Sequence, residues 1–298
     1  MQGVLASVAP STLRSYTKAW SDFLTYRTQY LRIHQHTPPS TSHVLQYLVH
    51  LRNQGRAPKT LKIQAAAISF FAKSMHFHDP CADFVVRRAL EGWRRLQPPS
   101  VDGRRPITYE LLCKIRDKLR SICWSKYEAR LFAAAYSIAF FGALRVGEVV
   151  HEGDPGPLSR GLQLSDIQLS ATELVVYIRR SKTDQRGKGA MVRLPATMQS
   201  GPCPVKDTKR FLDLRPPGSG PLLVHEDGSR LARQQFTRVM RMAIGACGLP
   251  AKEFAAHSFR IGAATAAFHW GLSTDSIKTL GRWSSNAFKS YIRAGSSV

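Results

Sequence analysis

A mainly α-helical protein with one small β-sheet, divided into an N-terminal helical domain and a larger α+β domain, is predicted from three features of the sequence. Apolar residues recur at helical spacing through the first hundred positions, with no strand pattern among them. A stretch rich in proline, glycine and polar residues, 98–106, then interrupts the periodicity. Beyond it helical patterns resume around two β-branched runs, LVVYIRR (174–180) and AMVRLP (190–195).

Over 11–31, Leu13, Tyr16, Trp20, Phe23, Leu24 and Leu31 approximate one helical face, with basic residues such as Arg14, Lys18 and Arg27 between them. Pro38-Pro39 ends that pattern. A second helix is expected over 41–53 on Val44, Leu45, Leu48 and Leu51, with Gly55 as its stop. A third follows Pro58 through Ile68 and Phe71, because proline is well placed in a first turn. A fourth runs over about 80–96. These helices form a domain of residues 1–97 and must pack together to hide Trp20, Phe71 and Trp93.

The stretch 98–106 reads as a linker, and Ile107-Thr108 opens the second domain, 107–298. That domain starts with an apolar helix ending near Arg145. The two β-branched runs follow, joined as a hairpin by SKTDQRGKG, whose tip is strongly cationic. Helices are then expected over 204–214, 229–246 (with Gly248-Leu-Pro as terminator), 257–270, 273–280 and 286–293.

Charge points to the partner. The chain of 298 residues carries 43 Lys+Arg against 20 Asp+Glu, a net +23, and the excess is +9 before residue 100 and +14 after it. A small domain stays soluble with a net charge of magnitude about 2–8, so an excess spread over both domains fits a polyanion such as nucleic acid. The longest apolar stretch, Leu131 to Leu144, is shorter than the ~20 residues of a membrane span, and MQGVLASVAP lacks the features of a signal peptide, so a non-membrane intracellular protein is expected. The cysteines at 81, 113, 123, 203 and 247 are odd in number and have no C-x-x-C pair, which fits reduced core residues rather than disulfides or a zinc site. His76 and His78 have no distant partner cluster and read as surface residues rather than metal ligands.

Four short stretches stand out: GALRVGE (142–148), SKTDQ (181–185), HSFRIGAA (257–264) and GRWSSNAFKSYIR (281–293). Singly, each has a plain structural reading: Arg145 and Glu148 as an i,i+3 pair, Lys182 as a solvated turn residue, His257 and Arg260 as neighbours on a helix face, Tyr291 as a packing aromatic. In this order and spacing, however, they resemble the catalytic set of the tyrosine recombinases, the phage-integrase-like DNA strand-transfer enzymes. The G-x-L-R-x-x-E stretch is matched by Gly142, Leu144, Arg145 and Glu148, the hairpin lysine by Lys182, and the H-x-x-R pair by His257 and Arg260. The residue after the next helix, histidine or tryptophan in the family, is Trp283, and the nucleophile is Tyr291.

The resemblance implies a helical core-binding domain and a catalytic domain that close on double-stranded DNA, a homo-oligomer (dimer or tetramer) on that DNA, and no metal, cofactor or ATP. HSFRIGAATAA followed by GRWSS…YIR is most similar to eukaryotic mobile-element recombinases of the DIRS/Ngaro retrotransposon or Crypton type, which implies a nuclear protein. Two departures stand against the pattern. Trp283 and Tyr291 are eight positions apart, about one fewer than in many bacterial members, so the nucleophile's helix is expected to start differently. Seven residues follow Tyr291, where many members carry a segment that docks on a neighbouring protomer, so assembly is expected to use another element unless the chain is trimmed.

The residue types suit the chemistry. Attack of a phenol on a phosphodiester builds negative charge on a pentacoordinate phosphorus, and the planar guanidiniums of Arg145 and Arg260 can neutralise it in a bidentate way that lysine cannot copy. His257 can hydrogen-bond the phosphate or relay a proton, and the indole N–H of Trp283 is a donor suited to an oxyanion. The resemblance gives Lys182 the role of protonating the departing 5′ oxygen, with Lys188 the nearest competitor, and makes Tyr291 the residue that forms a 3′-phosphotyrosine. Glu148 reads as orienting an arginine. Two other readings stay open on sequence: a domesticated DNA-binding protein that no longer cuts, and a DNA-relaxing enzyme of type IB topoisomerase kind.

Overall fold

The computed structural model describes residues 2–98, 102–151, 161–181, 184, 187–198, 200–293 and 295. The chain divides into two compact units, Met1–Asp102 and Gly103–Val298.

The first unit is helical: α1 (Gln2–Ala6), α2 (Pro10–Gln29), α3 (Thr41–Asn53), α4 (Pro58–Ser74) and α5 (Phe84–Leu96). Local chemistry sets the boundaries. Proline opens α2 and α4, where its missing N–H costs nothing. Ser40 caps α3 by accepting from the His43 N–H at 3.3 Å while the His43 ring accepts from the Ser40 N–H, a capping box in which histidine replaces the usual glutamate. Asp83 caps α5 through the Val85 N–H at 2.8 Å, so this helix begins later than its apolar pattern suggests. The core is Phe23, Val44, Tyr47, Leu48, Leu61, Ile68 and Val86. Trp20, Phe71 and Trp93 are only half-buried, with Trp20 and Phe71 stacked at 5.6 Å. Their indole and phenyl area covers the rim of the bundle rather than filling its centre.

The second unit begins with α6 (Tyr109–Ile122) and α7 (Lys126–Phe141). The apolar region before Arg145 is thus two helices, separated where Ser125 caps α7 through the Glu128 N–H. Almost every side chain of α7 from Tyr127 to Phe140 is buried, because α6, α9 (Pro204–Leu212), α10 (Arg233–Ala246) and α11 (Ser258–His269) all pack on it. A four-residue helix α8 (Val146–Val149) follows, and α12 (Thr274–Gly281) closes the helical set.

The hairpin is present as β2 (Glu173–Ile178) and β3 (Ala190–Pro195), paired antiparallel with Val176 opposite Val192 and Leu174 opposite Leu194. A third strand, β1 (Ile167–Leu169), pairs on the other side of β2 to give the order β1-β2-β3. Three residues are too few to show an alternating pattern, so β1 has no signature in sequence. The segment expected to be helical from 229 is extended at its start, with Arg230 bridged to Val224. The last expected helix, 286–293, is a short 3-10 helix, Asn286–Tyr291. Among the cysteines only Cys203 is buried; Cys81, Cys113, Cys123 and Cys247 are half-buried. Among the described residues no helix is long and apolar enough to cross a membrane.

Candidate active site

Two tight turns at helix ends and the start of α11 bring the marked residues together. α7 stops at Phe141, and the chain reverses through Gly142, Ala143 and Leu144. Ala143 has φ +44°, a left-handed conformation that a residue with a Cβ rarely adopts. The turn sets Arg145 at the start of α8. There the main-chain N–H of Arg145 donates to Glu148 Oε2 at 2.9 Å and its Nη1 to Glu148 Oε1 at 2.9 Å. Glu148 is 2% exposed, so this carboxylate is committed to orienting its neighbours.

His257 immediately precedes α11 and Arg260 lies in its first turn, three residues on and therefore on the same face. α12 ends at Gly281 because Arg282 takes the left-handed conformation, φ +54°, and this reversal lays Trp283 against the helix end. A Cβ at Gly281 would sit 1.8 Å from Trp283 Cζ3, so this packing requires glycine. The 3-10 helix then carries Tyr291 back onto α11. Thr265 fixes it there: its hydroxyl donates to the Tyr291 carbonyl at 3.3 Å and accepts from the Arg293 N–H at 3.2 Å.

The ring of Tyr291 lies 5.0 Å from that of His257 and 5.2 Å from that of Trp283. The guanidinium of Arg260 sits 4.3 Å from the Trp283 ring centre and 5.7 Å from that of Tyr291. Arg260 is fully buried, donating from Nη1 to the Ala143 carbonyl and from Nη2 to the Gly281 carbonyl at 2.5 Å. Burial, with the charge of Arg145 beside it, pulls its pKa down to about 10, which leaves it charged at neutral pH. The structure thus places Arg145, Glu148, His257, Arg260, Trp283 and Tyr291 in one connected cluster. Lys182, on the hairpin turn, lies outside the described residues; Lys188 is described and exposed.

The structure also brings in two residues that the sequence reading did not single out. Thr265 is one. Arg282 is the other: its Nη2 donates to Glu148 Oε2 at 2.9 Å and its Nη1 to the Gly142 carbonyl at 3.2 Å. Burial lowers the pKa of Arg282, with Glu148 opposing the shift. Arg282 stands inside the GRW stretch, yet a single arginine before a tryptophan looks like any surface cation until the fold aims it inward. Two guanidiniums therefore share one carboxylate, and Arg260 is near enough to feel its charge. Among the described residues Arg260 has no carboxylate partner, and its Nε and the Trp283 Nε1 are buried without a hydrogen-bond acceptor. Such a cluster has donors and charge to spare for an incoming anion.

No family model matches the chain. It is 27% identical over 272 residues, 88% of this chain and 74% of the other, to the integrase/recombinase xerD homolog of Selenomonas ruminantium. Among solved structures it is similar to a lambda integrase tetramer bound to a Holliday junction, with TM-score 0.64 and 14% identity over 98% of this chain and 74% of that one. It is also similar to the XerH site-specific recombinase bound to palindromic difH in a post-cleavage complex, with TM-score 0.61 and 17% identity over 95% of this chain and 74% of that one. The likeness to the xerD homolog thus runs over most of the chain's sequence, and the likeness to lambda integrase and XerH is one of fold.

Proposed function

We propose that this chain is a site-specific DNA recombinase that cuts and rejoins double-stranded DNA through a 3′-phosphotyrosine on Tyr291. The observation that carries the reading is the meeting of Tyr291, His257, Trp283 and Arg260, from segments that share no local pattern, beside the Arg145–Glu148 pair. Tyr291 Oη forms a bond to the scissile phosphorus as the bond from phosphorus to the 5′ oxygen breaks. Arg145 and Arg260 hold the nonbridging oxygens and offset the charge that develops on them. Lys182 supplies the proton to the leaving 5′ oxygen, and His257, its ring centre 5.0 Å from that of Tyr291, takes and returns the tyrosine proton. A 5′ hydroxyl then attacks the phosphotyrosine and frees Tyr291. One phosphodiester is exchanged for another, so no ATP is needed.

The basic excess of both parts of the chain fits a DNA partner, and the assembly is a homo-oligomer, dimer or tetramer, on that DNA. The forms HSFRIGAATAA and GRWSS…YIR support a eukaryotic mobile-element enzyme of DIRS, Ngaro or Crypton kind, acting in the nucleus. The test starts with binding selection from random duplexes to find the target, followed by a nicked suicide substrate built on it. The wild-type chain should form a covalent protein–DNA adduct, and Tyr291→Phe should form none while binding DNA with nearly unchanged affinity. An adduct with the phenylalanine variant would show that Tyr291 is not the nucleophile.

A further inference from the structure

We propose that Arg282 is a positioning residue for the cleavage step: by holding one oxygen of Glu148 it keeps the guanidinium of Arg145 free for the scissile phosphate. This rests on the recombinase reading above. Glu148 offers Oε1 to Arg145 Nη1, and Oε2 to both the Arg145 main-chain N–H and Arg282 Nη2, each at 2.9 Å. A carboxylate facing a single guanidinium prefers the two-bonded fork, in which both of its oxygens are taken by the same arginine. Without Arg282 only the main-chain N–H of Arg145 holds Oε2, and Glu148 turns toward that fork, taking up guanidinium donors of Arg145 that the phosphate needs.

The second part of the argument is geometric. Arg282 Nη1 reaches the Gly142 carbonyl, while Arg260 reaches the carbonyls of Ala143 and Gly281. The turn that carries Arg145 and the turn that carries Trp283, 138 positions apart in sequence, are thereby tied twice by arginines. Arg282 does this from a left-handed backbone, φ +54°, which glycine adopts at far lower cost. An arginine kept where glycine is easier indicates that its side chain is what the site uses. Lysine cannot replace it, since a single ammonium lacks the fork that spans Glu148 and the Gly142 carbonyl.

The experiment compares the wild type with R282Q, R282K, R145A and the R145A/R282Q double variant on two substrates, an ordinary phosphodiester and a methylphosphonate at the scissile position. The methylphosphonate lacks one negative oxygen and so needs less guanidinium charge. On the phosphodiester, R282Q and R282K should both form adduct about a hundred-fold more slowly, the loss typical of one transition-state donor, with DNA affinity changed only a few-fold. The double variant should be no slower than R145A alone. On the methylphosphonate, R282Q and R145A should both return to near the wild-type rate. A misfolded protein could not be rescued by a change in the DNA. The proposal is overturned if R282Q cleaves the phosphodiester at the wild-type rate, if the methylphosphonate fails to rescue it, or if the two losses multiply in the double variant. Absence of any wild-type adduct counts instead against the recombinase reading. Arg282 is then judged by binding of inorganic tungstate, followed by tryptophan fluorescence, which R145A and R282Q should weaken equally and which an unaffected R282Q would contradict.

Discussion

Replacing Gly262 by alanine tests how the second unit is built. Gly262 lies inside α11, where alanine ordinarily stabilises a helix by up to ~1 kcal/mol. Here a Cβ would stand 1.8 Å from the carbonyl oxygen of Ile107 and 2.7 Å from its carbonyl carbon. Carbon–oxygen contacts normally begin at about 3.3 Å, so the main chain at Ile107 must retreat by about 1.5 Å. Retreat endangers the hydrogen bond from the Ile107 N–H to the Ser258 carbonyl at 3.0 Å, worth about 1 kcal/mol, and loosens the fully buried Ile107 side chain. Overpacking adds about 1–3 kcal/mol. Set against the helix gain, the net is a destabilisation of about 2 kcal/mol, or a fall in Tm of about 4–8 °C for a unit of this size. Scanning calorimetry measures it, with Gly245→Ala as the control. That site in α10 has nothing within 4 Å of the added Cβ, and the variant should melt at or slightly above the wild-type temperature. A Gly262→Ala variant that melts no lower than the wild type would refute the close approach of Ile107 to α11.

Three further outcomes are expected. DNA affinity should fall steeply with salt, log K against log[salt] sloping by about −0.9 per phosphate neutralised, and a nearly flat plot would contradict binding through the basic excess. Replacing the leaving 5′ oxygen by sulfur, whose thiolate departs without a proton, should restore cleavage to Lys182→Ala but not to Arg260→Ala; equal rescue of both would remove the distinction between proton donor and charge stabiliser. His225 donates to the buried Glu128 carboxylate at 2.8 Å, and this bond raises the histidine's pKa against the opposing effect of burial. A raised folded pKa gives stability that is complete below the unfolded value near 6.5 and is lost as pH rises through the folded value. The Tm advantage of the wild type over His225→Gln should therefore be largest below the unfolded value near 6.5 and shrink as pH rises above it; an advantage that grows with pH would reverse the assignment.

Much of the helical framework was legible because its signals are local. The helix Thr41–Asn53 is bounded by Ser40 on one side and Gly55 on the other, and Pro58 opens the next one, all within a few residues of the ends they set. The hairpin strands Glu173–Ile178 and Ala190–Pro195 were likewise visible in their β-branched runs. The strand Ile167–Leu169 was not, since three residues are too few to show an alternating pattern even though the partner strand follows directly in the chain. The 3-10 helix Asn286–Tyr291 also escaped, because an apolar spacing over so few residues fits either helix type, and the anchoring of Tyr291 and Arg293 on Thr265 belongs to α11 rather than to the segment itself.

The same division runs through the site. Arg145, Glu148, His257, Arg260, Trp283 and Tyr291 were singled out in sequence by the resemblance of their short stretches to the recombinase set, since each stretch alone has a plain structural reading. Which groups those residues touch was decided only by folding. Arg260 finds its acceptors on Ala143 and Gly281, and Glu148 divides its two oxygens between Arg145 and Arg282. Left-handed backbone at Ala143 and Arg282 closes both turns, with neither position marked by glycine. Sequence determined what the side chains can do, since charge, fork geometry and acidity travel with the residue. Tertiary structure decided which of them share a carboxylate, because a hydrogen bond between residues more than a hundred positions apart leaves no trace in the pattern of either segment.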